Sequence, residues 1–290
     1  MIKKAVILTG GMATRFLPIS KSIPKEMLPV LNKPVLQLVI EDLHKAGITE
    51  VLMINGRNKE SIIRHFDRNI ELEERLIQTK RFDLLEQIMY PTTLCDITYK
   101  QQLCAKGTGY CMHMAKNFVN DEPFVLMFGD ELLFNDGKNV VEQLLECYNK
   151  YKKNVIAVQQ VPKSEVYKYG IIKIKEKLGK DYIFDKIIEK PTVEDAPSDI
   201  SYIGPAIFKK DIFDAVDNLP RIEGREVILT EAFNELAEKG EFVACSVKGD
   251  RHDLGNKFGF LKANIFAGVH DKEIKQQTLE YLKQILKDNL

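Results

Sequence analysis

The chain has 290 residues, enough for a full core, and its 42 Lys and Arg residues balance 42 Asp and Glu residues. That balance leaves no electrostatic footprint for nucleic acid or an acidic membrane, so any anionic ligand must be met by local charge. Five cysteines, an odd number without a C-x-x-C pair, argue against a disulfide framework and a zinc knuckle, and no uncharged run approaches a membrane span; a soluble, cytoplasmic protein is expected.

In chain order, Ala5 to Leu8 is a short apolar run that stops at Thr9-Gly10-Gly11. Arg15, Lys21 and Lys25 follow in a long excursion stiffened by Pro18, Pro24 and Pro29. Glycines let backbone N–H groups approach an anion, and the cations supply the fixed charge that phosphates require. The stretch therefore reads as a buried strand opening into a polyanion loop, whereas Gly10-Gly11 alone would read as an ordinary turn. Val35 to Ala46 is apolar at helical spacing and stops at Gly47, and Glu50 to Asn55 reads as a buried strand. Strand, loop, helix and strand make a βαβ unit, which favours a doubly wound, mainly parallel sheet with ligands beyond the carboxyl ends of its strands.

Residues 58–87 read as two charged helices, 96–100 as a strand, 107–109 as a Gly-Thr-Gly turn and 110–116 as a helix. Pro123 to Phe128 is a strongly apolar strand ending in Gly129-Asp130-Glu131, which points a carboxylate into the ligand crevice. A helix over 140–151 and a strand over 154–160 follow. Short alternating strands over 170–175, 182–189 and 202–208 suggest a small β-rich insert. Helices over 210–217 and 227–239, a strand over 242–247 and helices over 257–267 and 272–287 complete the chain.

The run T-R-F-L-P at Thr14 to Pro18, Lys21, P-K-E-M-L-P at Pro24 to Pro29 and Lys33-Pro34 resembles the signature of bacterial UTP–glucose-1-phosphate uridylyltransferases, a branch of the sugar-phosphate nucleotidylyltransferases. The resemblance continues through the Gly107 turn, Asp130, Tyr169-Gly170-Ile171, Glu189-Lys190-Pro191 and Asp253-Leu254-Gly255. It implies a Rossmann-like nucleotidyltransferase fold: residues 1–268 as the catalytic domain, with a nucleotide half to about 160 and a sugar side over about 161–256, and 269–290 as a C-terminal helix. Implied partners are UTP, glucose 1-phosphate, UDP-glucose and pyrophosphate, with Mg²⁺ as cofactor and a homodimer or homotetramer as assembly.

In such a reaction the nucleophile is a phosphate oxygen, already ionised near neutrality, so the protein must align and neutralise two polyanions and needs no general base. The resemblance implies Arg15 and Lys25 on the triphosphate, Asp130 and Asp253 on the metal, and Lys190 on the sugar phosphate. Gly10 and Gly11 would approach the phosphates, and Gln102 beside Gly107 would read the uracil edge with its amide. Glu26 would bind the base or orient the loop. Glu189 would accept from sugar hydroxyls over Gly170, and Lys190, standing before Pro191, is expected to be extended. His252, lacking His or Cys neighbours, reads as a packing residue. Three positions depart from the family pattern: Ala13 replaces a usual glycine, Tyr110 a histidine and Pro205 an arginine. dTTP or another hexose 1-phosphate, and a sugar-nucleotide sensor without turnover, stay open as alternatives.

Overall fold

A computed structural model of the chain describes residues 1–104, 106–220 and 225–289. Strand β1 (Lys4–Thr9) is followed by the long loop, a small hairpin of β2 (Pro29–Val30) and β3 (Lys33–Pro34), helix α1 (Val35–Lys45) and strand β4 (Glu50–Asn55). β1 and β4 are parallel neighbours, so the expected βαβ unit is present. Three helices follow where two were expected, α2 (Glu60–Phe66), α3 (Ile70–Gln78) and α4 (Phe82–Met89). They divide because Asp67-Arg68-Asn69 and Lys80-Arg81 interrupt the apolar spacing, and the Asn69 side chain caps α3 at Leu72 N.

β5 (Asp96–Gln101), α5 (Thr108–Val119) and β6 (Phe124–Phe128) come next, then β7 (Glu131–Phe134), α6 (Val140–Tyr151), β8 (Asn154–Gln160), β9 (Gly170–Leu178), β10 (Asp181–Glu189) and β11 (Ile200–Phe208). The chain closes with α7 (Asp211–Asp217), α8 (Leu229–Glu238), β12 (Phe242–Ser246), β13 (Asp250–Asp253), α9 (Lys257–His270) and α10 (Lys275–Asn289). Among the described residues one nine-stranded sheet has the order β5-β4-β1-β6-β11-β8-β12-β10-β9.

The sheet is mixed rather than mainly parallel. β5, β4, β1 and β6 run parallel, as do β8 and β12, but β11 lies between β6 and β8 antiparallel to both. The residues expected to form a separate β-rich insert are strands of this sheet, with β9 and β10 at its edge and β11 in its interior. Alternation along short strands looks the same whether the strand stands apart or closes a larger sheet, which is why the pattern suggested an insert.

β1 shows how the core forms. Ala5 and Ile7 face one apolar layer with α1 and α6, while Val6 and Leu8 face another with α5, α7 and α8. Cover on both faces is what an uninterrupted apolar run such as Val6-Ile7-Leu8 requires. Cys111, Cys147 and Cys245 are buried thiols in these layers, and Cys104 is exposed. Cys147, Asp181 and Cys245 cluster within 4.8 Å of one another. The Asp181 oxygens there already accept from Ser246 N and Tyr151 Oη. No helix among the described residues is long and apolar enough to cross a membrane.

Candidate active site

The parallel strands end together, and the chemistry-bearing residues stand where they end. Gly10-Gly11 leaves β1, Lys59 follows β4, Gln102 follows β5 and Asp130 follows β6. The other half of the sheet reaches the same edge, because Ser201 of β11 pairs with Gln159 near the end of β8 and with Ile171 of β9. That pairing brings Gly170 and Glu189 alongside.

The loop from Gly10 to Met27 is built of three short 3-10 turns. Ala13 has φ 52°, in the left-handed region where glycine is the comfortable residue, so the departure from the family pattern carries backbone strain. The Ser20 hydroxyl donates to the Ala13 carbonyl at 2.8 Å and holds that turn.

Lys25 Nζ lies 2.5 Å from Asp130 Oδ2, both side chains being largely buried. Burial works against the ammonium, but Asp130, with Glu26 and Asp253 nearby, raises it above the ordinary lysine value, so Lys25 stays charged. A Cβ at Gly11 would stand 3.4 Å from Lys25 Nζ, which leaves little room for any side chain there. A Cβ at Gly255 would lie 2.9 Å from Asp253 Oδ1, 3.4 Å from Asp130 Oδ2 and 3.8 Å from Arg15 Nη1. Arg15, Lys25, Asp130 and Asp253 thus converge on one point between strands that are far apart in sequence. Asp253 is oriented by Gly255 N at 2.8 Å and by Asn256 Nδ2 at 3.0 Å.

Two cavities lie beside these residues, one lined by Arg15 and Asp253 and the other by Gly11, which stands against Lys25. One of about 540 Å³ is lined by Gly10, Gly11, Lys21, Lys59 and Gln102. The buried Gln102 amide lies against Gly10, where an added Cβ would meet Oε1 at 2.6 Å. The other, of about 580 Å³, is lined by Arg15, Tyr169, Lys190, Arg251 and Asp253. A larger cavity of about 800 Å³, between Lys33, Arg64 and Glu86, shares none of these residues.

Two expected positions stand differently from the sequence reading, and of the two readings of Glu26 only orienting the loop fits. Glu26 is fully buried and bound to Lys59, so it reaches neither cavity. Gly107, at φ 92°, faces protein: a Cβ would meet Val227 O at 2.4 Å, and the Lys106 carbonyl and Gly109 N–H pair with Val227. Lys190 has φ 47°, in the left-handed region rather than extended, with its N–H bonded to the Tyr169 carbonyl at 2.9 Å. That backbone bond outweighs the steric preference set by the following proline.

Glu189 Oε1 accepts from Thr230 Oγ1 at 2.8 Å and lies 3.2 Å from where a Gly170 Cβ would be. Arg251 forks onto Glu131 with bonds of 3.0 and 2.9 Å and stacks over the Tyr169 ring at 4.8 Å. Burial pushes the Glu131 carboxyl up to about 7, with Arg251 opposing it. Lys59, Thr230, Glu131 and Arg251 escaped the sequence reading. Glu131, next to Asp130, and Arg251, two residues before Asp253, had a positional signal; Lys59 and Thr230 had none. His252 is buried, finds no hydrogen-bond partner for either ring nitrogen among the described residues, and packs edge-on against Phe134, as a packing residue would.

The nucleotidyl transferase family profile matches residues 4–268. The chain is 37% identical to UTP–glucose-1-phosphate uridylyltransferase 2 of Staphylococcus saprophyticus over 284 residues, 98% of each chain. It is 38% identical to the UTP–glucose-1-phosphate uridylyltransferase of Staphylococcus epidermidis over the same length and shares. The solved structure of a UTP-bound UGPase from Acinetobacter baumannii superposes with a TM-score of 0.91 at 32% identity, covering 100% of both chains. With these matches spanning the strand-end residues described above, the chain belongs to the nucleotidyl transferase family, among the UTP–glucose-1-phosphate uridylyltransferases.

Proposed function

We propose that the chain transfers the uridylyl group of UTP to glucose 1-phosphate, releasing pyrophosphate and giving UDP-glucose, with the two cavities holding the two substrates. The observation that carries this reading is the convergence of Arg15, Lys25, Asp130 and Asp253 beside those cavities. A sugar-phosphate oxygen attacks the α-phosphorus of the nucleotide, the bond to the bridging oxygen of the β-phosphate breaks, and pyrophosphate leaves in line.

UTP lies in the cavity of Gly10, Gly11 and Gln102, its triphosphate turned toward Arg15 and Lys25. Gln102 offers both a donor and an acceptor to the imide edge of uracil. Glucose 1-phosphate lies in the other cavity, its phosphate met by Lys190 and its hydroxyls by Glu189, which Thr230 holds in place. No protein base is required, because the attacking phosphate is ionised by itself above about pH 6.

Asp130 and Asp253 are a fitting pair for a hard divalent cation: two carboxylates from different elements close to one point, Asp253 held there by Gly255 N and Asn256 and Asp130 paired with Lys25. Mg²⁺ bound there would neutralise charge on the α-phosphate and the leaving pyrophosphate. Lys25 screens Asp130 meanwhile and stands ready to pass to the triphosphate.

Thymine differs from uracil by one methyl group, which a pocket discriminates by only ~1–3 kcal/mol. A panel of UTP and dTTP against glucose 1-phosphate and galactose 1-phosphate, scored by pyrophosphate release, tests the pairing. UTP with glucose 1-phosphate is expected to be fastest. Thermal stabilisation by UDP-glucose with no pyrophosphate release from any pair would establish a sensor instead.

A further inference from the structure

Two buried charges beneath the phosphate loop take no part in the mechanism above. Lys59 stands just ahead of α2 with 7% of its surface exposed, and Glu26 is fully buried. Lys59 Nζ donates to Glu26 Oε2 at 2.6 Å and reaches the Gly11 carbonyl at 3.4 Å. Gly11 opens the long loop and Glu26 closes it. A single ammonium therefore ties the loop's two ends together.

The consequence falls on the residue next to Glu26. Drawing the Glu26 side chain inward fixes the 3-10 turn Lys25–Met27, and from that turn Lys25 reaches Asp130 at 2.5 Å. Holding Gly11 at the same time sets the gap across the loop, where Lys25 Nζ stands 3.4 Å from the would-be Gly11 Cβ. Stability alone is a weak reason for such a pair, since an apolar pair of like volume serves a buried position at least as well. A fixed geometry at the mouth of a phosphate site is a stronger one.

We propose that Lys59 is a positioning residue for the nucleotide: through Glu26 and the Gly11 carbonyl it sets the width of the phosphate loop and aims Lys25 at the triphosphate. The inference rests on the uridylyltransferase reading and assigns Lys59 to the UTP side, not the sugar side. Burial raises the Glu26 carboxyl while Lys59 opposes that shift, in keeping with an ion pair that either partner's loss would disturb.

The test is steady-state kinetics of the full chain with UTP and glucose 1-phosphate varied separately. Lys59→Met is expected to lose about tenfold or more in kcat/KM for UTP while leaving the KM for glucose 1-phosphate within about twofold. Lys59→Arg, which keeps the cation, should recover most of that loss. Should Lys59→Met fail to fold, the double variant Glu26→Gln with Lys59→Met removes both buried charges. It should restore the thermal midpoint yet keep the UTP defect, because the Gly11 carbonyl is still untied. Wild-type UTP kinetics in either variant, or equal losses for both substrates, would overturn the positioning role. A wild-type chain that releases no pyrophosphate from UTP and glucose 1-phosphate would overturn the activity instead, so the two failures are told apart.

Discussion

On the proposed reading, Lys25 and Lys190 divide the site's two jobs at the scale of single residues. Lys25 sits by Asp130 and the Gly11 end of the loop, and Lys190 lines the other cavity with Tyr169 and Arg251. Lys25→Ala should cost about tenfold or more in kcat/KM for UTP, and Lys190→Ala a similar factor for glucose 1-phosphate, each sparing the other substrate's KM. Loss of the same substrate in both variants would misplace one of the lysines. The sequence made Lys25 and Asp130 legible because a Pro-stiffened basic loop and a carboxylate after an apolar strand are unusual for solvated surface. Lys59 was not legible, since a lysine ahead of a charged helix looks like any exposed cation until burial and Glu26 are seen. Ala13 was noted as a departure, and its φ of 52° supplies the physical meaning: the turn demands the glycine-favoured conformation whether or not glycine is there.

At the scale of elements, the legible parts were those with a long, unbroken apolar period: β1, α1, β4, β6 and α6 lie close to where the pattern put them. The β7–β13 pair was not visible, because each strand is four residues long and the two are joined only by a pairing remote in sequence, Glu131 with Asp253 and Leu133 with Arg251. That pair nonetheless sets Glu131 beside Arg251 and keeps Asp253 next to Asp130. Helix α1 carries a pH dependence of its own. Burial raises Asp42 to about 7 from an ordinary 3.8, so the native state holds that proton more tightly than the unfolded chain. The stability linked to it is full below about pH 4 and is lost as pH rises through about 7. Asp42→Asn should therefore match wild type near pH 4 and exceed it by ~1–2 kcal/mol at pH 8, after discounting for the residue's partial exposure. Thermal unfolding across that range checks it, and an advantage that shrank with rising pH would contradict the assignment.

Across the whole molecule, the mixed sheet explains why one site can draw on both halves of the chain. β11, running antiparallel between β6 and β8, joins the parallel half of the sheet, β5, β4, β1 and β6, to the β9–β10 edge. Strand directions are set by connections that local apolar patterns do not encode, so the class was readable and the mixed topology was not. The central claim is that Asp130, paired with Lys25 beside Arg15 and Asp253, is needed for turnover and not for the fold. Pyrophosphate release from UTP and glucose 1-phosphate with Mg²⁺ present, measured for wild type and Asp130→Asn beside their thermal midpoints, tests it most directly. A fall in kcat of about a hundredfold or more with an unchanged midpoint is the predicted result; turnover near wild type in the folded variant would contradict the account.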